Sequence, residues 1–166
     1  MVNKTRKANN HISHHHMLLR METVLHPSKE DLPKVEQLIK TIISDLDMKI
    51  IDVPHVYYLD VPANNKGITS ASSIETSHIS FHFWDTPEPD QLINKKSKSL
   101  LQFDIYTCGN LTKKQAKGVI KQLSIYMPTR VDIDVLNRKK KLKIDYSISW
   151  NDNGKSSFDE WLNSKL

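Results

Sequence analysis

Ser77-His78-Ile79-Ser80-Phe81-His82-Phe83-Trp84 alternates strictly, with Ile79, Phe81 and Phe83 on one side and His78, Ser80 and His82 on the other. Successive strand residues point to opposite faces of a sheet, so the run reads as a half-buried β-strand whose aromatic side enters a core. Ideal alternation also sets Ser77 and His82 on opposite faces, so joint action of the two within the strand requires a turn or strain at Thr76-Ser77. Further on, Leu101, Phe103 and Ile105 make an apolar side while Asp104, Tyr106 and Cys108 make a polar one. The chain's only cysteine is thereby placed on a polar face at a strand end.

Around these two strands the periodicity changes. His14–Met21 reads as a strand, followed by a turn at His26-Pro27. Leu32, Val35, Leu38, Ile39, Ile42, Ile43 and Leu46 then recur at three- and four-residue steps. That is the stripe of an amphipathic helix, with Ser28 and Asp31 as N-cap and first-turn acid and Pro33 tolerated near its start. Strands over Lys49–Val53 and Val56–Leu59 follow, then a loop at Asn64-Asn65-Lys66-Gly67. A second helix spans about Thr112–Tyr126, with Thr112 and Gln115 as a capping box, Ala116, Val119, Ile120 and Leu123 as the buried stripe, and Pro128 beyond its end. Val131–Val135 and Leu142–Ile148 alternate as an antiparallel hairpin about a basic turn. Phe158–Leu166 reads as a short terminal helix docked through Trp161 and Leu162. Two main helices against alternating strands give a two-layer α+β sandwich, mainly antiparallel, with the helices on one face. Residues 1–12 form a basic disordered tail, 13–150 the domain and 151–166 a C-terminal extension.

The polar sides of the two central strands carry chemistry. A serine hydroxyl held against the preceding carbonyl can attack it, exchanging amide for ester, and a nearby imidazole can move the protons. Elimination then leaves dehydroalanine, which loses ammonia to give a pyruvoyl group. Such a ketone forms a Schiff base with an amine substrate and accepts the electrons released on decarboxylation. A thiol, with an ordinary pKa near 8.5, is suited to returning the proton. A lone Cys is more often a small buried hydrophobe, so the reading rests on the joint pattern.

That pattern resembles the small prokaryotic S-adenosylmethionine decarboxylases, with their Glu-Ser-His-(Ile/Leu)-Ser-(Ile/Val)-His-Thr-Trp-Pro-Glu and Asp-(Ile/Leu/Val)-Phe-Thr-Cys-Gly motifs. Ser77, His78, Ser80, His82, Trp84, Asp104, Thr107, Cys108 and Gly109 stand in family order and spacing. Gly67-Ile68-Thr69 resembles the Gly-Val-Ser that precedes the cleaved serine, and His16–Met21 the opening strand, so the likeness covers roughly Ser13 to Val135. It implies a self-processing proenzyme cleaved between Thr76 and Ser77, with a pyruvoyl cofactor made from Ser77. It also implies His82 as proton donor for processing, Thr69 in place of an assisting serine, and Cys108 as proton donor in catalysis. For the acidic residue that contacts substrate ribose, Glu88 is the first candidate and Asp85 the second. The scissile neighbour is Thr76 where the family has Glu, with Glu75 displaced by one, and the adenine-stacking aromatic has no assigned counterpart, Tyr57 and Tyr58 being only nearby. The implied function is decarboxylation of S-adenosylmethionine to supply the aminopropyl donor for spermidine biosynthesis, by a homodimer of cleaved protomers with active sites at the interface. The alternatives are a pyruvoyl-dependent decarboxylase of arginine or ornithine and a non-cleaving regulatory homologue.

Composition narrows the rest. The 166 residues, 38% hydrophobic and 26% charged, suit one soluble domain. No apolar run approaches the roughly 20 residues of a membrane span, and the basic start lacks the apolar stretch of a signal peptide, which implies a cytoplasmic location. One Cys permits no internal disulfide, consistent with a reducing compartment. The net charge of +5 is gathered at the N-terminus, Lys95–Lys98 and Arg138–Lys141, which read as solvated turns and not as a specific nucleic-acid surface. His11, His14, His15 and His16 lack a thiolate or acid at matched spacing and alternate across a strand, so no metal site is expected there.

Overall fold

The computed structural model describes residues 13–61, 65–75, 77–154 and 156–166; the N-terminal tail, part of the loop before Gly67, and Thr76 lie outside them. Strands β1 (His15–Thr23), β2 (His55–Leu59), β3 (Gly67–Ile74), β4 (Ser77–Trp84), β5 (Ser99–Thr107), β6 (Pro128–Asn137) and β7 (Lys143–Asn151) form one sheet in the order β2-β3-β4-β5-β1-β6-β7. Every neighbouring pair is antiparallel. Helices α1 (Leu32–Asp45), α2 (Lys113–Leu123) and α3 (Phe158–Lys165) complete the α+β sandwich.

The core forms where the two periodicities meet. Met17, Leu19 and Met21 of β1, Ile79, Phe81 and Phe83 of β4, Phe103 and Ile105 of β5, and Val131, Ile133 and Val135 of β6 are all buried. Against them lie Val35, Ile39, Ile42 and Ile43 of α1 and Ala116, Val119, Ile120 and Leu123 of α2. Each fully buried aliphatic or aromatic side chain is worth about 1.5–3 kcal/mol of transfer free energy. The α2 capping box agrees with the sequence, Thr112 N donating to Gln115 Oε1 at 3.0 Å and Gln115 N to Thr112 Oγ1 at 3.2 Å, whereas Ser28 caps a 3₁₀ turn over Lys29–Asp31 and Asp31 itself is the N-cap of α1. The terminal helix docks through an aromatic cluster, with Phe158 edge-on to Trp150 at 5.2 Å and Trp161 buried.

Three elements differ from the sequence reading. Lys49–Val53 is not a strand: Ile50 makes one isolated bridge to Ile74, and Ile51 and Val53 are 64% and 52% exposed. The strand in that part of the sheet is β3, whose Gly-Ile-Thr-Ser-Ala-Ser-Ser-Ile sequence hides its alternation because the inward positions Ser70 and Ser72 are small and hydroxylic. Helix α2 gives way to a tighter 3₁₀ turn over Ser124–Tyr126, and Met127, at φ 55°, reverses the chain into β6. Pro128 is therefore the first residue of that strand, where its missing N–H costs no ladder bond.

Two devices hold the β3–β4–β1 region. Gly67 has φ +149°, and a Cβ there meets the Phe83 carbonyl oxygen at 1.8 Å, so only glycine lets the backbones of β3 and β4 approach. Glu22 is fully buried, and its carboxylate accepts bonds from Arg20 Nη1 (2.7 Å), the Ile93 and Asn94 amides (2.9 and 2.8 Å) and Ser97 Oγ (2.8 Å). Burial alone raises its pKa, but the Asn94 amide, Arg20, the Ile93 amide and Ser97 outweigh it and hold the group below its ordinary 4.5. A depressed carboxylate stabilises the fold fully above its unfolded value, and that stability is lost as pH falls through the lowered folded value.

Gly67→Ala is expected to cost at least about 2 kcal/mol in urea unfolding. Gly118→Ala, in α2 with open space around it, is expected to stabilise by about 0.5–1 kcal/mol. Glu22→Gln is expected to cost about 3 kcal/mol near neutrality and to flatten the loss of stability on acidification below the ordinary carboxylate range.

Candidate active site

The face of the sheet opposite α1 and α2 is polar, and β4 and β5 organise it. Their register pairs His78 with Tyr106, Ser80 with Asp104 and His82 with Gln102. Because alternation is shared, the second members of these pairs lie beside the first on the open face. Strand β1 adds His16, Leu18 and Arg20 on the other side of β5, with His16 opposite Tyr106 and Leu18 opposite Asp104.

Ser77 and Cys108 meet at one end of this arrangement. Ser77 opens β4 in register with Ile74, and Glu75 leaves β3 in a turn; Thr76, the expected scissile neighbour, lies outside the described residues. The Ser77 hydroxyl oxygen accepts the Cys108 backbone N–H at 3.1 Å. The Cys108 carbonyl in turn accepts Ser13 N at 3.1 Å, and the Gly109 amide donates to Thr107 Oγ1 at 2.9 Å. The cysteine is pinned through its backbone while its sulfur stands 3.9 Å from the Tyr106 hydroxyl.

Thr69 and His82 meet farther along. They are cross-strand partners of β3 and β4, and Thr69 Oγ1 lies 2.8 Å from His82 Nδ1. Five residues of regular strand separate His82 from Ser77, roughly 16 Å at the usual rise. The sequence-identified residues thus form two groups within the chain, Ser77 with Cys108 and Thr69 with His82. No bend within β4 draws them together.

Asp104 is the electrostatic centre between the two groups. Its Oδ2 accepts the Ser80 hydroxyl, and its Oδ1 lies 3.3 Å from His16 Nε2 and 3.6 Å from His78 Nε2. Ligand atoms of His16, His78 and Asp104 all fall within 4.8 Å of one another, a spacing that a cation could use. Arg138 decides otherwise for His16: Nη1 is 3.3 Å from His16 Nδ1, and a guanidinium only donates. The network therefore assigns the His16 proton to Nε2, facing Asp104, where no lone pair is left for a metal. The remaining histidines of the N-terminal cluster disperse: His14 Nδ1 contacts the Tyr106 hydroxyl at 2.7 Å, and His15 Nδ1 accepts the Leu111 amide at 3.1 Å. His11 lies outside the described residues.

Beside this network runs a cavity of about 580 Å³ lined by Leu18, Arg20, Ser80, His82, Gln102, Asp104, Asp132 and Asp134. Arg20 is engaged by Glu22 at 2.7 Å and Asp132 bidentately by Arg130 at 2.8 Å, so Asp104 and Asp134 are left to tilt the wall toward a cationic ligand. The two candidates after Trp84 occupy different settings. Asp85 is 6% exposed and accepts the Tyr58 hydroxyl at 2.6 Å, with His26 Nδ1 at 3.4 Å from its other oxygen. Burial and this carboxylate push the Tyr58 pKa above 10.0, against the opposing pull of Lys66. Glu88 is exposed at the start of a 3₁₀ turn over Pro89–Gln91.

Sequence reasoning missed the roles of Ser80, Asp104, Tyr106, His14 and Arg138 as one network. Alternation does place His78, Ser80, Asp104 and Tyr106 on polar sides, but only the β4–β5 register sets them opposite one another. Asp85→Ala is expected to lower stability by about 1–3 kcal/mol through the stranded Tyr58 hydroxyl, whereas Glu88→Gln should change it by less than about 0.5 kcal/mol; chemical denaturation of both variants checks the distinction.

The family model for S-adenosylmethionine decarboxylase matches residues 15–139, from β1 to the turn after β6. None of the curated proteins matches the chain. No helix among the described residues is long and apolar enough to cross a membrane.

Proposed function

The chain belongs to the S-adenosylmethionine decarboxylase family, and on that premise we propose that it cleaves itself between Thr76 and Ser77 to become a pyruvoyl-dependent decarboxylase of S-adenosylmethionine, supplying the aminopropyl donor for spermidine biosynthesis. The observation that carries the reading is the contact between Ser77 and the Cys108 segment: the serine whose Cα must become the ketone carbon has its hydroxyl held 3.1 Å from the Cys108 amide, on the strand end that also bears the chain's only thiol. The surroundings fit a pyruvoyl group, since that N–H is a ready donor to an oxygen at residue 77. When formed, the group supplies a ketone that takes up the substrate amine and withdraws the electron pair left by carbon dioxide.

In this reading Ser77 Oγ attacks the Thr76 carbonyl and converts amide to ester. His82 acts as the proton donor for processing, with Thr69 holding the imidazole through the 2.8 Å contact at Nδ1. The distance between these groups in one chain supports a homodimer in which two open faces meet, so that the Thr69–His82 pair of a second protomer reaches Ser77. Such pairing also covers the polar face that α1 and α2 leave open. The acid-lined cavity suits a substrate that carries a sulfonium and an amine. Glu88, exposed at the rim of the β4–β5 connection, is the residue for the substrate ribose. Cys108 delivers the proton that replaces carbon dioxide. A reducing, cytoplasmic setting keeps that thiol available.

Intact mass of the purified protein tests the reading. Two fragments are expected, Met1–Thr76 and a second beginning at a ketone-bearing residue 77; a chain that stays whole and has no group that hydrazine can trap would refute it. Ser77→Ala should remain uncut. Cys108→Ala should still cleave but lose turnover by about 10²-fold or more. Carbon dioxide release should require S-adenosylmethionine, and release from arginine or ornithine alone would move the substrate assignment.

A further inference from the structure

The open face carries a line of proton-bearing groups that starts at the thiol and leads away from it. Tyr106 precedes Cys108 by two residues on the same face, and its hydroxyl stands 3.9 Å from the sulfur. The same hydroxyl is 2.7 Å from His14 Nδ1, and the imidazole stacks along the phenol with 12° between the planes. Arg138 lies over the phenol ring at 4.5 Å. A phenylalanine, which stands at this place in the motif quoted above, fills the same volume beneath Arg138 and beside His14; the hydroxyl adds only hydrogen bonding. Of the three histidines around the ring, His16 has both nitrogens engaged, by Asp104 and Arg138 at 3.3 Å each, and His78 packs tilted at 5.7 Å with its Nε2 turned to Asp104 at 3.6 Å. His14, partly exposed just before β1, is the one whose ring nitrogen contacts the hydroxyl, and it is open to exchange with water.

We propose that Tyr106 and His14 form the path by which Cys108 regains, from solvent, the proton it gives up in each turnover. The inference rests on the role assigned to Cys108 above. As the thiol S–H bond breaks, its proton forms the new C–H bond of the product and a thiolate remains. The Tyr106 O–H proton moves to sulfur, the phenolic oxygen takes the proton from His14 Nδ1, and His14 takes one from water at Nε2; exchange with solvent then returns the imidazole to its Nδ1–H tautomer before the next turnover. No electrons are gained or lost, and one solvent proton enters for each proton that leaves with product. Burial raises the Tyr106 pKa above 10.0, the Cys108 contact adds to this, and Arg138 opposes it. The phenol therefore stays protonated near neutrality and relays by receiving one proton as it passes another.

Since Cys108 is the only cysteine, alkylation by iodoacetamide reports on it alone. Among the described residues, the titratable and charged groups that face it and the phenol include His14 and His16 at β1, His78 on β4, Asp104 on β5 and Arg138 after β6, and Tyr106→Phe leaves all of them in place. That variant should move the midpoint of the alkylation profile to higher pH, since the phenol O–H is the donor that favours the thiolate. In turnover, Tyr106→Phe and His14→Ala should each lower kcat on the order of tenfold to a hundredfold with KM little changed, and added imidazole should restore the His14 variant but not the Tyr106 variant. An unmoved alkylation profile in Tyr106→Phe overturns the relay, as does undiminished kcat in either variant. A chain that never cleaves sinks the decarboxylase reading instead, while the alkylation profile still decides whether the phenol serves the thiol.

Discussion

The register of β4 between β3 and β5 is the constraint on which the molecule depends. Because side chains alternate along a strand, a slip of one residue would send Phe81 and Phe83 to the open face and His78, Ser80 and His82 into the core. The same register sets Thr69 opposite His82 and Ser80 opposite Asp104. Folding and site assembly are thus one event. The burial of Phe81, Phe83 and Phe103 penalises any slip by several side chains' worth of transfer free energy, and the polar groups inherit that accuracy without stabilising the fold much themselves.

Rigid and chemically open parts are separated across the sheet. The side facing α1 and α2 is apolar and closely packed, and Gly67 and the buried Glu22 carboxylate lock the strand ends and the β4–β5 connection. The other side is half-exposed and rich in groups that hold or move protons. Asp104 gathers Ser80, His16 and His78, while Arg138 orders His16 and lies above Tyr106. Such a network keeps the site charged in a patterned way without placing an unpaired charge in the core.

Within one chain the residues that the family motifs bring together in sequence are divided in space. Ser77 and Cys108 share a strand end because β4 and β5 are neighbours, whereas His82 is carried away along β4 by the rise of the strand. An extended strand cannot unite residues five apart, so the two groups stay separate within one chain. In the homodimer proposed above, the open face left uncovered by the helices is where a second copy brings them together.

Much of this was legible in the amino-acid order. The 3.6-residue stripes of α1 and α2, the period-two runs of β1, β4, β5, β6 and β7, and the aromatic anchors of α3 follow from local sterics and from burial, which act on neighbours in sequence. Ser77, His82 and Cys108 stood out as candidates because they keep fixed spacing in two short blocks, and Thr69 because of the Gly67-Ile68-Thr69 stretch upstream. Strand β3 was not, since its inward Ser70 and Ser72 carry no hydrophobic signal, and neither was the failure of Lys49–Val53 to pair, since that depended on which neighbours β3 had already taken. Nor could the order of residues show that Tyr106 stands between Cys108 and His14, or that Asp104 faces Ser80 and two histidines. Those contacts join strands far apart in the chain, and their partners are chosen by sheet order and register, which exist only once the whole sheet has closed on its core.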